Sequence, residues 1–471
     1  MTPSARLDAL PSIYRAWSAA HLFHFLGNTS GLRFDGEIGI APWLSIVEWS
    51  LILCAALALW RPSNRYIVAL AGLQLVNVVF EEPGMGSHVM VLLAGNLTIL
   101  WGALLQTVSP QRDAASAVPQ VGLKIAAAVY LLSAFQKLNS DFLDPEVSCA
   151  NRLIGSIAPV LSDAPWLGWA AVLSEALMGV GILIAPLRSV TVLFAMAFHW
   201  FMALDIGAHF YDFSMVMIAL LTCAFSQKPE RPDERLVSNT SASLAIYIIG
   251  TVACLFLFAS QTVAARIMAT TGSFILWLFF GSSIVISAAK IVWESGEISD
   301  AIKRFGSKRS ALSEEGMGPG IFLIAAPALV FLLLNGMSPY LEIKYAFSFN
   351  MYSNLRAEQG RSNHLILRKT WPLTSHLSEY AKIEDSSDSK LHRYRDENYG
   401  IPLLQLRDYL YSHPKETVTY RHRGVLYEQK SSGDGPHFSE PSSWLQSRLH
   451  VFRAIDLNDK RRCYDSWLAA H

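Results

Sequence analysis

Residues 120–142 read QVGLKIAAAVYLLSAFQKLNSDF, an apolar run that ends in a lysine and a polar turn. A helix needs about 20 mostly apolar residues to cross the hydrocarbon of a bilayer, and this stretch offers that length up to Lys137. Outward from it, ten further apolar stretches of similar kind lie near 10–28, 42–60, 65–80, 88–107, 165–185, 189–204, 212–227, 241–263, 270–293 and 318–336. The sequence therefore predicts an all-α polytopic membrane bundle of about eleven transmembrane helices, over residues 1–337. The first and third stretches are the weakest. Arg15, His21 and His24 interrupt the first, and the third is short. No cleavable signal peptide is expected, because no short apolar region is followed by a small-residue cleavage site.

Composition agrees. The 471 residues are 52% hydrophobic and only 16% charged, against roughly 25% charge in soluble chains. The charge is unevenly placed: residues 338–471 hold 19 basic and 16 acidic side chains, so 26% of that segment is charged against 12% of the first 337 residues. Residues 338–471 are thus read as a separate, water-exposed α+β domain. Within it, NHLILR (363–368) and the runs ETVTYRH and GVLYEQK, joined at Arg423 and Gly424, have strand character, IPLLQLRDYLYSH is helix-like, and 431–443 reads as a flexible loop. The zero net charge gives no sign of nucleic-acid binding, which needs a basic excess to neutralise phosphates. Five scattered cysteines form no metal-ligand spacing, and no metal is predicted. Cys149 and Cys463 fall on one side of the membrane in this reading, where a disulfide is an option that their spacing does not demand.

Numbering helix ends alternately from an inside N-terminus places Arg6, Arg61, Arg65, Arg112, Arg188, Lys228, Arg231, Arg235, Lys290, Lys303, Arg304, Lys308 and Arg309 on one face. Only Arg33, Lys137, Arg152 and Arg266 fall on the other. Cytoplasmic loops are rich in Lys and Arg. The N-terminus is accordingly expected in the cytoplasm and the C-terminal domain outside, as in a bacterial inner membrane. The outer ends collect Glu81, Glu82, His88, Lys137, Asp141, Asp144, Glu146, Asp205, His209 and Asp212. Charges near hydrocarbon are costly and mark functional sites.

Lys137 has two readings: a desolvated lysine, neutral and able to act as a base, or one that snorkels to the headgroups. EEPGMGSH (81–88) is expected to be a tight turn presenting Glu81, Glu82 and His88. His199 precedes Asp205 and His209, whose i, i+4 spacing lets the carboxylate orient the imidazole if the stretch is helical; a packed core histidine is the plainer reading of His199. Glu175 needs a partner, for which Arg15 or Lys124 on another span are candidates. His21 and His24, at i, i+3, could hold a metal only with a third ligand, which the spacing does not supply. No phosphate-cradling glycine loop and no GxSxG occur.

YLLSAFQKLNSDF, the Ser87–His88 pair opening a span, the acid in LSEALMGVGILI (173–184) and FHWFMALDIGAHFYDFSMVMIALL (198–221) together resemble the vitamin K-dependent γ-carboxylase-like family, whose shared part is the horizontally transferred transmembrane domain (HTTM). The resemblance covers roughly residues 10–230. It implies an integral membrane enzyme, a carbon–carbon lyase that oxidises a quinol. Vitamin K hydroquinone or a related quinol is oxidised by oxygen to its epoxide, and the strong base formed removes a γ-proton from peptide glutamate before carbon dioxide adds. It further implies Lys137 as the base that deprotonates the hydroquinone, at the extracytoplasmic face; in the enzyme reading His88 and His199 are added as catalytic residues that hydrogen-bond the ring oxygens or take part in proton transfer. Asn363 and His364 lie in a segment that resembles the one after the membrane part of such proteins. With Asn350 and Asn354 they either line a substrate entrance or, in the plainer reading, cap turns; in the former they join Glu81, Glu82, Asp205 and His209 as candidate substrate-binding residues. The expected partners are the lipid bilayer, a membrane quinone and a peptide or protein substrate. The chain is shorter than the animal enzymes, and the second reading is a non-enzymatic membrane protein that binds a peptide or protein partner.

Overall fold

In the computed structural model the described residues are 11–27, 42–80, 86–109, 114–204, 210–225, 241–259, 262–296, 319–429, 442–458 and 463. Every one of the eleven apolar stretches is helical within them. The helices are α1 (Pro11–Gly27), α2 (Pro42–Trp60), α3 (Asn64–Phe80), α4 (Ser87–Val108), α5 (Ala114–Lys137), α7 (Leu167–Leu183), α8 (Arg188–Met202), α9 (Tyr211–Leu221), α10 (Ser241–Ala259), α11 (Val263–Glu294) and α12 (Pro319–Met337). A short α6 (Cys149–Ile157), capped by the Ser148 hydroxyl accepting from Ala150 N–H, was not expected from the sequence.

Among the described residues, four stretches are long and apolar enough to cross a membrane: Ser87–Val108, Ala117–Lys137, Val263–Glu294 and Gly320–Met337. Large apolar side chains stand exposed along α10, α11 and α12, among them Ile249, Phe279 and Leu334. Such a surface is suited to lipid rather than water, and the chain is a membrane protein.

The chain forms two compact units. The first comprises the described parts of residues 1–81, 87–130 and 177–332. Its centre is α1, packed against α2 and α9, with α3 and α4 completing one side and α8, α10 and α11 another. Close packing rests on small residues, as is common between membrane helices. A Cβ on Gly95 of α4 would meet the Trp17 ring of α1 at 2.3 Å, and one on Gly122 of α5 would meet Cys223 Sγ at 2.7 Å.

The second unit comprises the described parts of 82–86, 131–176 and 333–471. It holds an antiparallel sheet in the order β6-β5-β3-β4-β7, formed by β3 (Tyr380–Ser386), β4 (Tyr399–Pro402), β5 (Val418–His422), β6 (Val425–Gln429) and β7 (Ile455–Asp456). Helices α13 (Ser389–Asp396) and α14 (Leu403–Ser412) adjoin it, and α15 (Trp444–Leu449) comes after them in the chain. Ala381, Ile383, Leu391, Tyr394, Leu410 and Tyr420 are part of the core between them. The β5–β6 hairpin turns through Arg423 and Gly424, both at positive φ, the two-residue turn whose twist matches the strands. The expected strand NHLILR is not one. Arg361–Ser362 pairs with Ala357–Glu358 in a separate two-stranded ribbon of β1 and β2, and His364 makes only an isolated bridge to Asn139. Its polar groups are drawn instead into the turn after α5. Cys149 and Cys463 form a disulfide, a pairing that their spacing of 314 residues did not decide.

Candidate functional site

In the second unit, α5 delivers Lys137 into a buried position, 7% exposed. Its ammonium Nζ donates to Ser133 Oγ at 2.6 Å and lies 3.0 Å from each carboxylate oxygen of Glu175 on α7. Ser133 stands one helical turn before Lys137, so the hydroxyl and the ammonium share a face. The partner of Glu175 is therefore Lys137, and neither Arg15 nor Lys124. Arg15 donates to the Leu59 carbonyl and Lys124 to the Gln120 carbonyl. A buried ion pair repays its desolvation only with good geometry and is weak evidence for stability, while ionisable groups in membrane helices mark function by default.

The backbone next to Lys137 is clamped. Gln136 Nε2 donates to the carbonyls of Gly336 and Ser348 at 2.6 and 3.2 Å. Asn139 Nδ2 donates to Gln136 O and Ser353 O, and its Oδ1 accepts from Phe142 N–H. The strap that supplies the Ser348 and Ser353 carbonyls is unusual: Phe347, Phe349, Tyr352 and Asn354 all have φ between 51° and 62°. Non-glycine residues pay about 1–2 kcal/mol each for that conformation, and such clusters gather at sites that surrounding contacts over-determine. Here the contacts include Asn354, which donates to Val147 O and accepts from Cys149 N–H, and Asn350, which donates to Tyr345 O.

Asn363 and His364 reach the same turn. Asn363 donates to Asn139 Oδ1 and Asn354 O and accepts from Arg356 N–H. His364 Nδ1 accepts from the backbone N–H groups of Ile366 and Leu367, which leaves Nε2–H to donate to Phe135 O at 2.8 Å. Burial pushes this imidazole below its ordinary value, against the opposing pull of the Phe135 carbonyl. Both side chains thus brace the residues flanking Lys137. Asp141 pairs with Arg356 at 2.7 Å.

In the first unit lies a second constellation. His24 Nδ1 and His88 Nε2 are 2.8 Å apart. His88 Nδ1 stands 3.5 Å from Asp212 Oδ2, while Asp212 Oδ1 accepts the Phe213 N–H at 2.5 Å. His21, one turn earlier on α1, is engaged otherwise, with Trp17 O at 2.8 Å and Asn96 Nδ2 at 3.1 Å. His21 and His24 consequently share no ligand between them, and no group of three metal-ligating side chains occurs among the described residues. His199 is buried, with the rings of Tyr130, Phe198 and Phe213 around it at 5.5 to 5.7 Å. Its Nε2 has no hydrogen-bond partner among the described residues. Glu81, Glu82, Asp205 and His209 lie outside the described residues.

Of the sequence candidates, Lys137, Asn363 and His364 are thus gathered in the second unit, and His88 and His199 belong to the first. Sequence reasoning missed Ser133 and the true partner of Glu175. The i, i+4 spacing of Ser133 and Lys137 was the signal that could have found the former; the latter pairing is tertiary. Compared with known proteins, the chain matches no family model, no curated protein and no solved structure.

Proposed function

We propose that the chain is a multi-pass membrane enzyme of the vitamin K-dependent γ-carboxylase-like type, in which Lys137 takes a proton from the hydroxyl of a reduced quinone. The observation that carries this reading is the buried Lys137–Glu175–Ser133 group. A proton shared by this pair has two resting places. With the proton on the amine the pair is ionic. With it on Glu175 both partners are neutral, and the Lys137 amine has a lone pair for an incoming hydroxyl proton. Ser133 fixes the amine in either form. The donor set suits a phenolic hydroxyl, which needs one base and one hydrogen-bonding neighbour. When bound, a reduced quinone supplies through its oxidation by oxygen the strong base that γ-carboxylation of peptide glutamate requires. The braces at Gln136, Asn139, Asn363 and His364 hold the lysine in place for that transfer.

The orientation belongs to the same proposal: eleven crossings, a cytoplasmic N-terminus and an extracytoplasmic C-terminal domain. The thirteen-to-four sorting of basic residues supports it. So does the Cys149–Cys463 disulfide, because such bonds persist in oxidising compartments and are rare in the cytosol. Single cysteines at Arg112→Cys and Asp434→Cys test the placement in intact cells. An impermeant maleimide should label position 434 only; labelling of 112 from outside overturns it.

The catalytic claim is tested with purified protein in lipid nanodiscs and added vitamin K hydroquinone. Wild-type protein should oxidise the quinol and Lys137→Ala, inserted and folded, should not. A wild-type protein inert towards every quinol offered sinks the enzyme reading.

A further inference from the structure

The second constellation has a direction built into it. Asp212 Oδ1 is committed to the Phe213 N–H, which leaves Oδ2 as the oxygen facing His88 Nδ1. At 3.5 Å this is a charge contact rather than a hydrogen bond; a carboxylate cannot donate, and its charge favours a proton on the facing His88 Nδ1. In the neutral ring that makes His88 Nε2 an acceptor. The 2.8 Å contact then requires His24 Nδ1 to be the donor, and His24 Nε2 is left as a bare lone pair. That atom is enclosed and has no hydrogen-bond partner among the described residues, and His24 as a whole is 1% exposed. Buried polar atoms are nearly always satisfied, so an acceptor left open at the end of an oriented chain points to a donor that comes from outside the protein.

We infer that Asp212, His88 and His24 form a proton relay whose terminal atom, His24 Nε2, accepts the hydroxyl proton of an apolar, hydroxyl-bearing ligand. The ligand's O–H bond breaks as an N–H bond forms at Nε2. The Nδ1 proton of His24 then passes to His88 Nε2, and the Nδ1 proton of His88 passes to Asp212. No electrons move and no further reactant is needed. The ligand class is set by the surroundings: His24 is flanked by Phe23 and Phe25 on α1, and α1 is packed against apolar α9, so a hydroxyl compound soluble in hydrocarbon is the one that arrives. Asp212 and His88 are positioning residues here. His24 is the residue that would touch the ligand.

The relay is tested by nitrogen NMR of histidine-labelled protein in proteoliposomes, with the two resonance sets assigned by their loss in His24→Gln and His88→Gln. In the resting wild type, His24 should carry its proton on Nδ1 and show a bare Nε2, and His88 should be neutral with its proton on Nδ1. Asp212→Asn should invert the chain. With Oδ1 still on the Phe213 N–H, the amide Nδ2 donates to His88 Nδ1, and both rings should switch to protonated Nε2. Menadiol, whose choice as probe rests on the quinol reading above, should move the wild-type His24 Nε2 resonance, while its dimethyl ether, which has no hydroxyl proton, should not. A protonated Nε2 on resting His24, a doubly protonated His88, or an equal response to menadiol and its ether each overturns the relay. Should Asp212→Asn fail to fold, the wild-type tautomers and the menadiol response decide the matter. They are read without turnover, so a protein that has these tautomers and responds to menadiol but does not oxidise it loses the quinol reading and keeps the relay.

Discussion

Replacing Glu175 by glutamine keeps the size of the side chain and removes its charge, which strands the Lys137 ammonium on Ser133 alone. Side-chain exposures of 9% and 14% place the pair mostly out of water. At 3.0 Å and an effective dielectric near 20, the Coulomb term is about 5 kcal/mol, and breaking one partner of a buried pair costs about 3–5 kcal/mol. Glu175→Gln should therefore lower unfolding free energy by about 3–5 kcal/mol, as should Lys137→Met, which strands the carboxylate instead. The double variant leaves no buried charge and should be no less stable than either single. Denaturant unfolding in mild detergent, followed by circular dichroism, yields the double-mutant cycle. A coupling of about 3 kcal/mol or more is expected. Additivity of the two single effects to within about 0.5 kcal/mol would show that the two groups do not act as a buried unit, and would remove the observation on which the proposed chemistry rests.

Two glycine substitutions of the same chemistry should have opposite signs. Gly95→Ala drives a methyl into the Trp17 ring at 2.3 Å and should cost about 1–3 kcal/mol. Gly72→Ala on α3 meets nothing within 4 Å and should stabilise by about 0.5–1 kcal/mol in the same unfolding assay. Burial lowers the Lys344 ammonium from 10.5 to about 8. Above about 8 the native state has given up a proton that the unfolded chain holds to its ordinary value, so stability should rise between those pH values. Lys344→Met should abolish the rise and add up to about 3 kcal/mol at neutral pH, and a flat wild-type profile over that range refutes it. Cys463→Ser releases a loop of 314 residues and should cost about 6 kcal/mol in the chain-entropy account, with one fewer disulfide by thiol titration under denaturing conditions as the direct check.

The apolar stretches were legible because helix formation in an apolar setting is a local matter: a run of leucine, alanine and valine satisfies its own backbone and needs no partner. All eleven stretches are helices for that reason, within a residue or a few at most ends. The β5–β6 hairpin was equally local, since two strand-forming runs flank a turn with Arg423 and Gly424 at positive φ. The segment NHLILR misled because its composition favours a strand while its asparagine and histidine are claimed by the α5 turn, more than 200 residues away in sequence. Short α6 was missed because its nine residues, although strongly amphipathic, are too few to stand out in a reading that looks for spans of about 20 residues.

The candidate sites divide along the same line. Residue type alone marked Lys137, His88 and Asp212, since charge and imidazole at the ends of apolar helices are costly wherever they fall. Type could not say that Lys137 meets Glu175, that His24 meets His88 and not His21, or that Asp212 Oδ2 faces His88. Those facts depend on which helices lie side by side, which the hydropathy of each helix does not reveal. By itself the sequence determined which segments are helical, where polar groups interrupt them, and that the last third of the chain carries about twice the share of charged residues. Tertiary structure alone decided which charges are paired, which cysteines are joined and which histidine nitrogen is left open, because each depends on close approach, within about 3 Å for a hydrogen bond, between groups far apart in the chain.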